Sequence, residues 1–153
     1  MKTIEHEYGD YVVSTDPARL DHDVIHRFLT NSYWAKGIPR QLVARCIENS
    51  LCFGVFRGRE QVGFARVISD YATFAYVGDV FILAEHRGRG LGKFLMSCVM
   101  NHPELVGLRR WSLVTRDGHG LYRQFGFTSL ARPDAYMELH NPGVYEPASG
   151  ENA

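Results

Sequence analysis

The stretch "EHRGRGLGKF", residues 85–94, decides how this chain is read. Gly88, Gly90 and Gly92 alternate within five residues, and Arg87, Arg89 and Lys93 stand among them. Upstream, "FAYVGDVFIL" (74–83) is rich in β-branched and aromatic residues and predicts a strand. Downstream, Leu91, Phe94, Leu95, Cys98 and Val99 follow the i, i+3, i+4, i+7, i+8 pattern, so 91–101 predicts an amphipathic helix. A helix start presents unpaired N–H groups and partial positive charge. Where side chains are missing, those amides can close directly on an anion. Strand, glycine loop and helix together read as a phosphate cradle, with the three cations adding charge. A P-loop would need GxxxxGK followed by Ser or Thr, but Phe94 follows Lys93. A dinucleotide fingerprint would need GxGxxG early in the chain, and this spacing is GxGxG and late. On glycine spacing alone, an ordinary strand–helix turn with solvated arginines stays open.

Working outward, "DYVVST" (10–15) predicts a short strand. "LDHDVIHRFLTNSYW" (20–34) predicts a helix capped by Asp21, with Ile25, Phe28 and Leu29 facing inward. After the turn "AKGI", Pro39 opens a second helix, "PRQLVARCIENS" (39–50), with Leu42, Val43, Cys46 and Ile47 inside. "LCFGVFRGREQVGFARVIS" (51–69) predicts a hairpin turning at residues 57–60. Pro103 stops the helix after the glycine loop. "RRWSLVT" (109–115) predicts a strand and "GHGLYRQF" (118–125) a short helix with Gly126 as its cap; "FTSL" (127–130) and "AYMEL" (135–139) predict two last strands. The order is β-α-α-β-β-β-α-β-α-β-β. Short connections imply antiparallel neighbours, and the crossover through 91–101 implies one parallel pair. No internal repeat occurs, and the tail from 141 to 153 carries Pro, Gly, Ser and Glu without periodicity.

At 153 residues with 45% apolar content, a single globular domain is expected. Seventeen basic and seventeen acidic residues cancel, which argues against a nucleic-acid coat or a polybasic membrane binder. No apolar run reaches the roughly 20 residues of a membrane helix, and the polar start "MKTIEHEYGD" does not fit a secretory signal. Cys46, Cys52 and Cys98 form no CxxC pair and read as buried thiols in a reducing, cytoplasmic setting.

With its glycine loop, the sequence resembles the GNAT superfamily of N-acetyltransferases. Arg87, Gly90 and Gly92 match that family's [RQ]-x-x-G-x-[GA] element between strand and helix. In "GLYRQFGF", Tyr122, Gly126 and Phe127 match a second element, a tyrosine before an aromatic-Gly-Phe turn. The resemblance covers roughly residues 8–140. It implies an α+β fold: a mixed, largely antiparallel central sheet of about seven strands with four helices on its faces. Residues 1–140 would be one such domain and 141–153 a tail. It also implies acetyl-CoA as co-substrate. The pyrophosphate would lie on Gly88, Arg89, Gly90, Leu91, Gly92 and Lys93, with Arg87 beside it. The pantetheine arm would lie where two parallel strands splay at a bulge, with Gly78 a candidate for it. Backbone groups of Phe81 and Ile82 would hold the arm and polarise the acetyl carbonyl. Tyr122 matches the tyrosine that protonates or hydrogen-bonds the departing thiolate; its bland alternative is packing.

Many relatives carry Asn where this chain has Thr115, so a Thr115 contact with the arm is an expectation with a substituted residue. Asp79, an acid inside an apolar strand, is the candidate base for the acceptor amine, with a hydrogen-bonded structural carboxylate as alternative. Glu85 and His86 read as exposed loop residues. His119, three residues before Tyr122, faces either the cleft or solvent. His22 and His26 share a helix face but lack a third ligand, so no metal site is expected. Tyr33 and Trp34, in "NSYW" (31–34), border the expected acceptor pocket, where they would stack on an aromatic or cationic acceptor or else pack in the core. The function expected is acetyl transfer to a primary amine, small-molecule or peptide, by direct attack in a ternary complex. The rival is a non-catalytic acyl-CoA-binding or sensing module. An acetyltransferase acting on charged tRNA is disfavoured by zero net charge. A homodimer is compatible with the fold.

Overall fold

The computed structural model describes residues 1–146. Six strands form one sheet in sequence order: β1 (Glu5–Tyr8), β2 (Tyr11–Ser14), β3 (Leu51–Arg57), β4 (Glu60–Ser69), β5 (Phe74–Ile82) and β6 (Arg110–Leu113). Neighbours from β1 to β5 are antiparallel, and β5 pairs with β6 in parallel. Four α-helices complete the fold: α1 (His22–Thr30), α2 (Arg40–Glu48), α3 (Leu91–Met100) and α4 (His119–Arg123).

Each sheet face carries its own core. On one, Leu91, Leu95, Met96 and Val99 of α3 pack on Val13, Phe53, Val55, Val67 and Val77. On the other, Ile25 and Leu29 of α1 and Val43 and Ile47 of α2 pack on Phe56, Phe64 and Phe81. Buried on both faces, β3 and β4 read as near-continuous apolar runs rather than as alternation. Asp21 caps α1 as expected, its carboxylate accepting from the N–H groups of Asp23 and Val24. The helix ends at Thr30, four residues short of the predicted run.

Three sequence expectations change. The polar segment Glu5–Tyr8 is a strand, with all four residues exposed: its backbone pairs with β2 while its side chains stay in water. "FTSL" and "AYMEL" are not strands among the described residues. Met137 and Leu139 are almost fully exposed, so the apolar residues that suggested a strand have nothing to pack against, and β6 has no second partner among the described residues. The tail from 141 falls partly outside the described residues; within them, Tyr145 packs against the α1–α2 core and meets Gly37. Among the described residues no helix is long and apolar enough to cross a membrane.

Candidate active site

β5 and β6 run side by side from Phe74/Arg110 to Val77/Leu113, and then the pairing stops. Five more residues of β5, Gly78 to Ile82, continue without β6. The β4–β5 register slips over the same stretch: Phe64 faces Phe81, yet Arg66 faces Gly78. Two steps on β4 thus match three on β5, and the extra residue lies at Asp79–Val80. Asp79 has φ 55°, in the left-handed region that non-glycine residues seldom enter. The bulge expected at Gly78 sits one residue later.

The bulge sets which backbone groups face the gap. Leu83 N–H donates to Val62 O at 2.8 Å, so Leu83 faces β4. Alternation then turns Phe81 toward its partner Phe64, and the polar groups of Val80 and Ile82 toward the open edge. Of the two residues expected to hold a cofactor arm by their backbone, Ile82 faces the open edge and Phe81 faces β4. Val80, next along the strand, also faces that edge. Phe81 contributes its ring instead, stacked on Phe28 at 4.0 Å between centroids.

The glycine loop closes the end of this gap. Gly88 (φ 77°) and Gly90 (φ 82°) are both left-handed, and Gly90 is the N-cap of α3. The first helical bond runs from Phe94 N–H to Gly90 O, which leaves the amides of Leu91, Gly92 and Lys93 free at the helix start. A Cβ on Gly88 would meet nothing within 4 Å, and one on Gly92 only Leu121, at 3.9 Å. Neither position is crowded by a neighbouring protein atom.

Tyr8 shapes it from β1. Its hydroxyl donates to Arg89 O at 2.8 Å and its ring stacks on Phe94 at 4.7 Å. Across a trans peptide the next N–H points opposite that carbonyl, so Gly90 N–H is turned away from Tyr8. Arg89 and Lys93 are exposed at the rim and join no ion pair among the described residues. Arg87 does not simply add charge: its Nε donates to Ile82 O at 2.8 Å, fastening the loop to the end of β5. His86 is buried, with Nδ1 and the Tyr11 hydroxyl 2.8 Å apart, contrary to the exposed position expected for it; Glu85 is exposed.

Tyr122 lies on α4, half-buried against the α3-side core. Burial raises its phenol above the ordinary value, and the neighbouring Tyr33 phenol adds to the rise. It therefore stays protonated across neutral pH. Thr115 accepts from Gly118 N–H at 2.8 Å, so its oxygen caps the turn that leads into α4 and positions Tyr122. His119 is exposed at the first position of α4. Burial pushes the Cys52 thiol up to about 12 and the Cys98 thiol to about 11, which removes both as nucleophiles at neutral pH.

Beside the gap lies a cleft of about 540 Å³ between the α1–α2 connection and the β6–α4 loop, lined by Phe28, Tyr33, Trp34, Leu83, Arg27 and Arg116 among others. Tyr33 and Trp34 are exposed there, not core residues. Asp79 sits behind Trp34. One carboxylate oxygen accepts from Trp34 Nε1 at 2.8 Å and the other from Arg66 Nε at 2.7 Å. Both side chains of the Arg66–Asp79 pair are largely buried.

A family model described as "Acetyltransferase (GNAT) domain" matches residues 48–129, more than half of the chain. The chain belongs to the GNAT acetyltransferase family. A Gibberella zeae protein, FG08082, assigned to the acetyltransferases, is 37% identical over 137 residues, covering 74% of this chain and 76% of its own. A GNAT-family protein from Xanthomonas campestris pv. campestris is 58% identical over 90% of this chain and 97% of its own, with TM-score 0.88. A Clostridium acetobutylicum structure solved with acetyl-CoA shares the fold at TM-score 0.60 and 16% identity, over 91% of this chain and 96% of its own.

Within this GNAT domain three residues beside the gap and the loop, Val80, Tyr8 and Phe28, had been given no site role from the sequence. Val80 depends on a bulge position that no residue type announces. Tyr8 depends on a strand with no apolar face. Phe28 was placed on the inner face of α1, but its stacking on Phe81 is a tertiary fact. His22 and His26 share only a helix: His26 Nε2 lies 3.1 Å from Ile38 O, and among the described residues no three-residue group suited to a metal occurs.

Proposed function

We propose that the chain is an acetyl-CoA-dependent N-acetyltransferase that acts on a primary amine by direct attack in a ternary complex. The observation that carries this reading is the splayed edge of β5, which the glycine loop meets through Arg87 and Ile82, with Tyr122 packed against the same core as Val80 and Ile82. The Clostridium structure holding acetyl-CoA on the same fold supports the choice of co-substrate.

Acetyl-CoA, when bound, supplies the activated acetyl group. The residues present fit it. The free amides of Leu91, Gly92 and Lys93, with the rim cations Arg89 and Lys93, hold the pyrophosphate. Backbone groups of Val80 and Ile82 align the pantetheine arm along β5 and polarise the acetyl carbonyl. Phe28 and Phe81 exclude water beside it. Tyr122 holds the proton that the departing sulfur needs.

Asp79 is better placed to position than to accept a proton. Both of its oxygens are engaged, and an incoming ammonium would compete with Arg66 and Trp34. The amine proton then leaves to water. Asp79→Asn should raise the acceptor KM by loosening Trp34 and leave a parallel pH profile of kcat/KM. Recovery of the variant at alkaline pH would instead make Asp79 the base.

The test of the proposed function is thiol release from acetyl-CoA in the presence of a panel of primary amines, with the acetylated products identified by mass. Amine-dependent release is expected. Tight acetyl-CoA binding without amine-dependent release would favour the binding-module reading. Three unpaired thiols fit a cytoplasmic setting. For a homodimer, the edge of β6, unpaired among the described residues, and the exposed Met137 and Leu139 are the surface on offer.

A further inference from the structure

We propose that the acceptor amine carries an oxyanion, a carboxylate or a phosphate, and that Arg27 and Arg116 bind it. This deepens the acetyl-transfer reading and rests on it.

The inference comes from the charge balance and geometry of the cleft beside the splayed strands. Its nine lining residues include two arginines and no acid. The arginine ion pairs of the described residues use Arg19, Arg40 and Arg66, so neither Arg27 nor Arg116 is paired with an acid among those residues. Asp79, behind Trp34, is already paired with Arg66. Two uncompensated guanidinium groups on a partly apolar wall make a local positive potential in a chain with no net charge.

Arg116 is also held in place. Its guanidinium carbon stands 3.9 Å above the centroid of the Tyr33 ring. Stacking covers the planar face and leaves the N–H edges free. A guanidinium fixed this way presents its fork to a carboxylate or phosphate at lower entropic cost than a free side chain. Arg27 reaches the same space from the last turn of α1.

The same facts exclude a polycationic acceptor. Arg116 already covers one face of Tyr33, and no acid among the lining residues balances a second positive charge. A single amine beside a carboxylate or phosphate meets neither objection. The anion sits on the arginines, and the amine, once neutral, reaches the acetyl carbonyl at the β5 edge. The remaining wall, Phe28, Tyr33, Trp34 and Leu83, takes an apolar or aromatic body between the two ends.

The test uses matched pairs that differ in the anion, with the full chain and acetyl-CoA: phenylalanine against phenethylamine for the carboxylate, and phosphoethanolamine against ethanolamine for the phosphate. The ratio of kcat/KM within a pair should favour the anionic member by about 10- to 100-fold in at least one pair, since hydrogen bonds to charged groups carry that much discrimination. The pair with the larger ratio tells carboxylate from phosphate. Arg116→Gln and Arg27→Gln should each draw that ratio toward one, through the acceptor KM, while acetyl-CoA affinity measured by calorimetry stays the same. Equal or better turnover of the anion-free members overturns the inference and leaves acetyl transfer standing, as does a ratio that neither variant moves. Failure to acetylate any amine, by protein that binds acetyl-CoA, overturns acetyl transfer and this inference with it.

Discussion

Gly90→Val raises the dissociation constant for acetyl-CoA by about 100-fold or more while the protein still folds. Two effects combine. At φ 82° a β-branched residue is strained, and the new Cβ would stand 2.6 Å from the Tyr8 hydroxyl. Relief of either turns the Arg89–Gly90 peptide and misdirects the amide that Tyr8 now orients. Losing one or two charge-assisted hydrogen bonds to a phosphate accounts for the size of the effect. The backbone strain is about 1–2 kcal/mol, against a total stability of about 5–15 kcal/mol for a domain. Gly92→Ala is the control. There the Cβ meets only Leu121 at 3.9 Å, and the backbone is already helical. Its affinity should stay within a few-fold. Calorimetric titration reads both variants, and thermal unfolding reports their folding. A folded Gly90→Val protein with unchanged affinity would take the pyrophosphate away from this loop.

Tyr122→Phe lowers kcat by about 10²–10⁴-fold, the usual worth of a positioned general acid, with little change in acetyl-CoA affinity. The substitution removes the proton and keeps the ring that packs near Phe127. The phenol works in its protonated form, and burial together with Tyr33 raises it above its ordinary value of about 10. The wild-type rate should therefore fall on the alkaline side only above about pH 10, and the variant should lack that limb. Single-turnover kinetics across pH separates this from slow product release. Full activity in the variant, with chemistry limiting, would reduce Tyr122 to packing.

How much of this was legible in the sequence depended on how local each feature is. The helix after the glycine loop was readable because Leu91, Leu95, Cys98 and Val99 are buried on one face of one element. The glycine loop was readable because Gly88, Gly90 and Gly92 fall within five residues of the chain. β1 was not: Glu5, His6, Glu7 and Tyr8 bury nothing, and only pairing with β2 makes them a strand. "AYMEL" failed in the opposite way. It has the composition of a strand, but composition cannot supply a partner, and Met137 and Leu139 stay in solvent. At the site, Asp79 stood out as an acid in an apolar strand, and it is indeed at the bulge. What the sequence could not show is that Arg66 and Trp34, 13 and 45 residues away, already hold its two oxygens. That the backbone of Val80, and not that of Phe81, faces the gap could not be read from the sequence, because a single-residue bulge reverses which backbone groups face it.

The hydrogen bond from Tyr8 to Arg89 spans 81 residues and joins the edge strand β1 to the glycine loop. An edge hairpin is ordinarily the first part of a sheet to open. Here its opening and the loop's affinity are thermodynamically linked: whatever free energy the docked hairpin lends to the bound anion, the anion must return to the hairpin. Saturation with acetyl-CoA should thus slow amide hydrogen exchange in Glu5–Tyr8, a segment on the far side of the sheet order from β5 and β6. Trimming or tagging the first eight residues would register as weak cofactor binding in a protein whose core is intact.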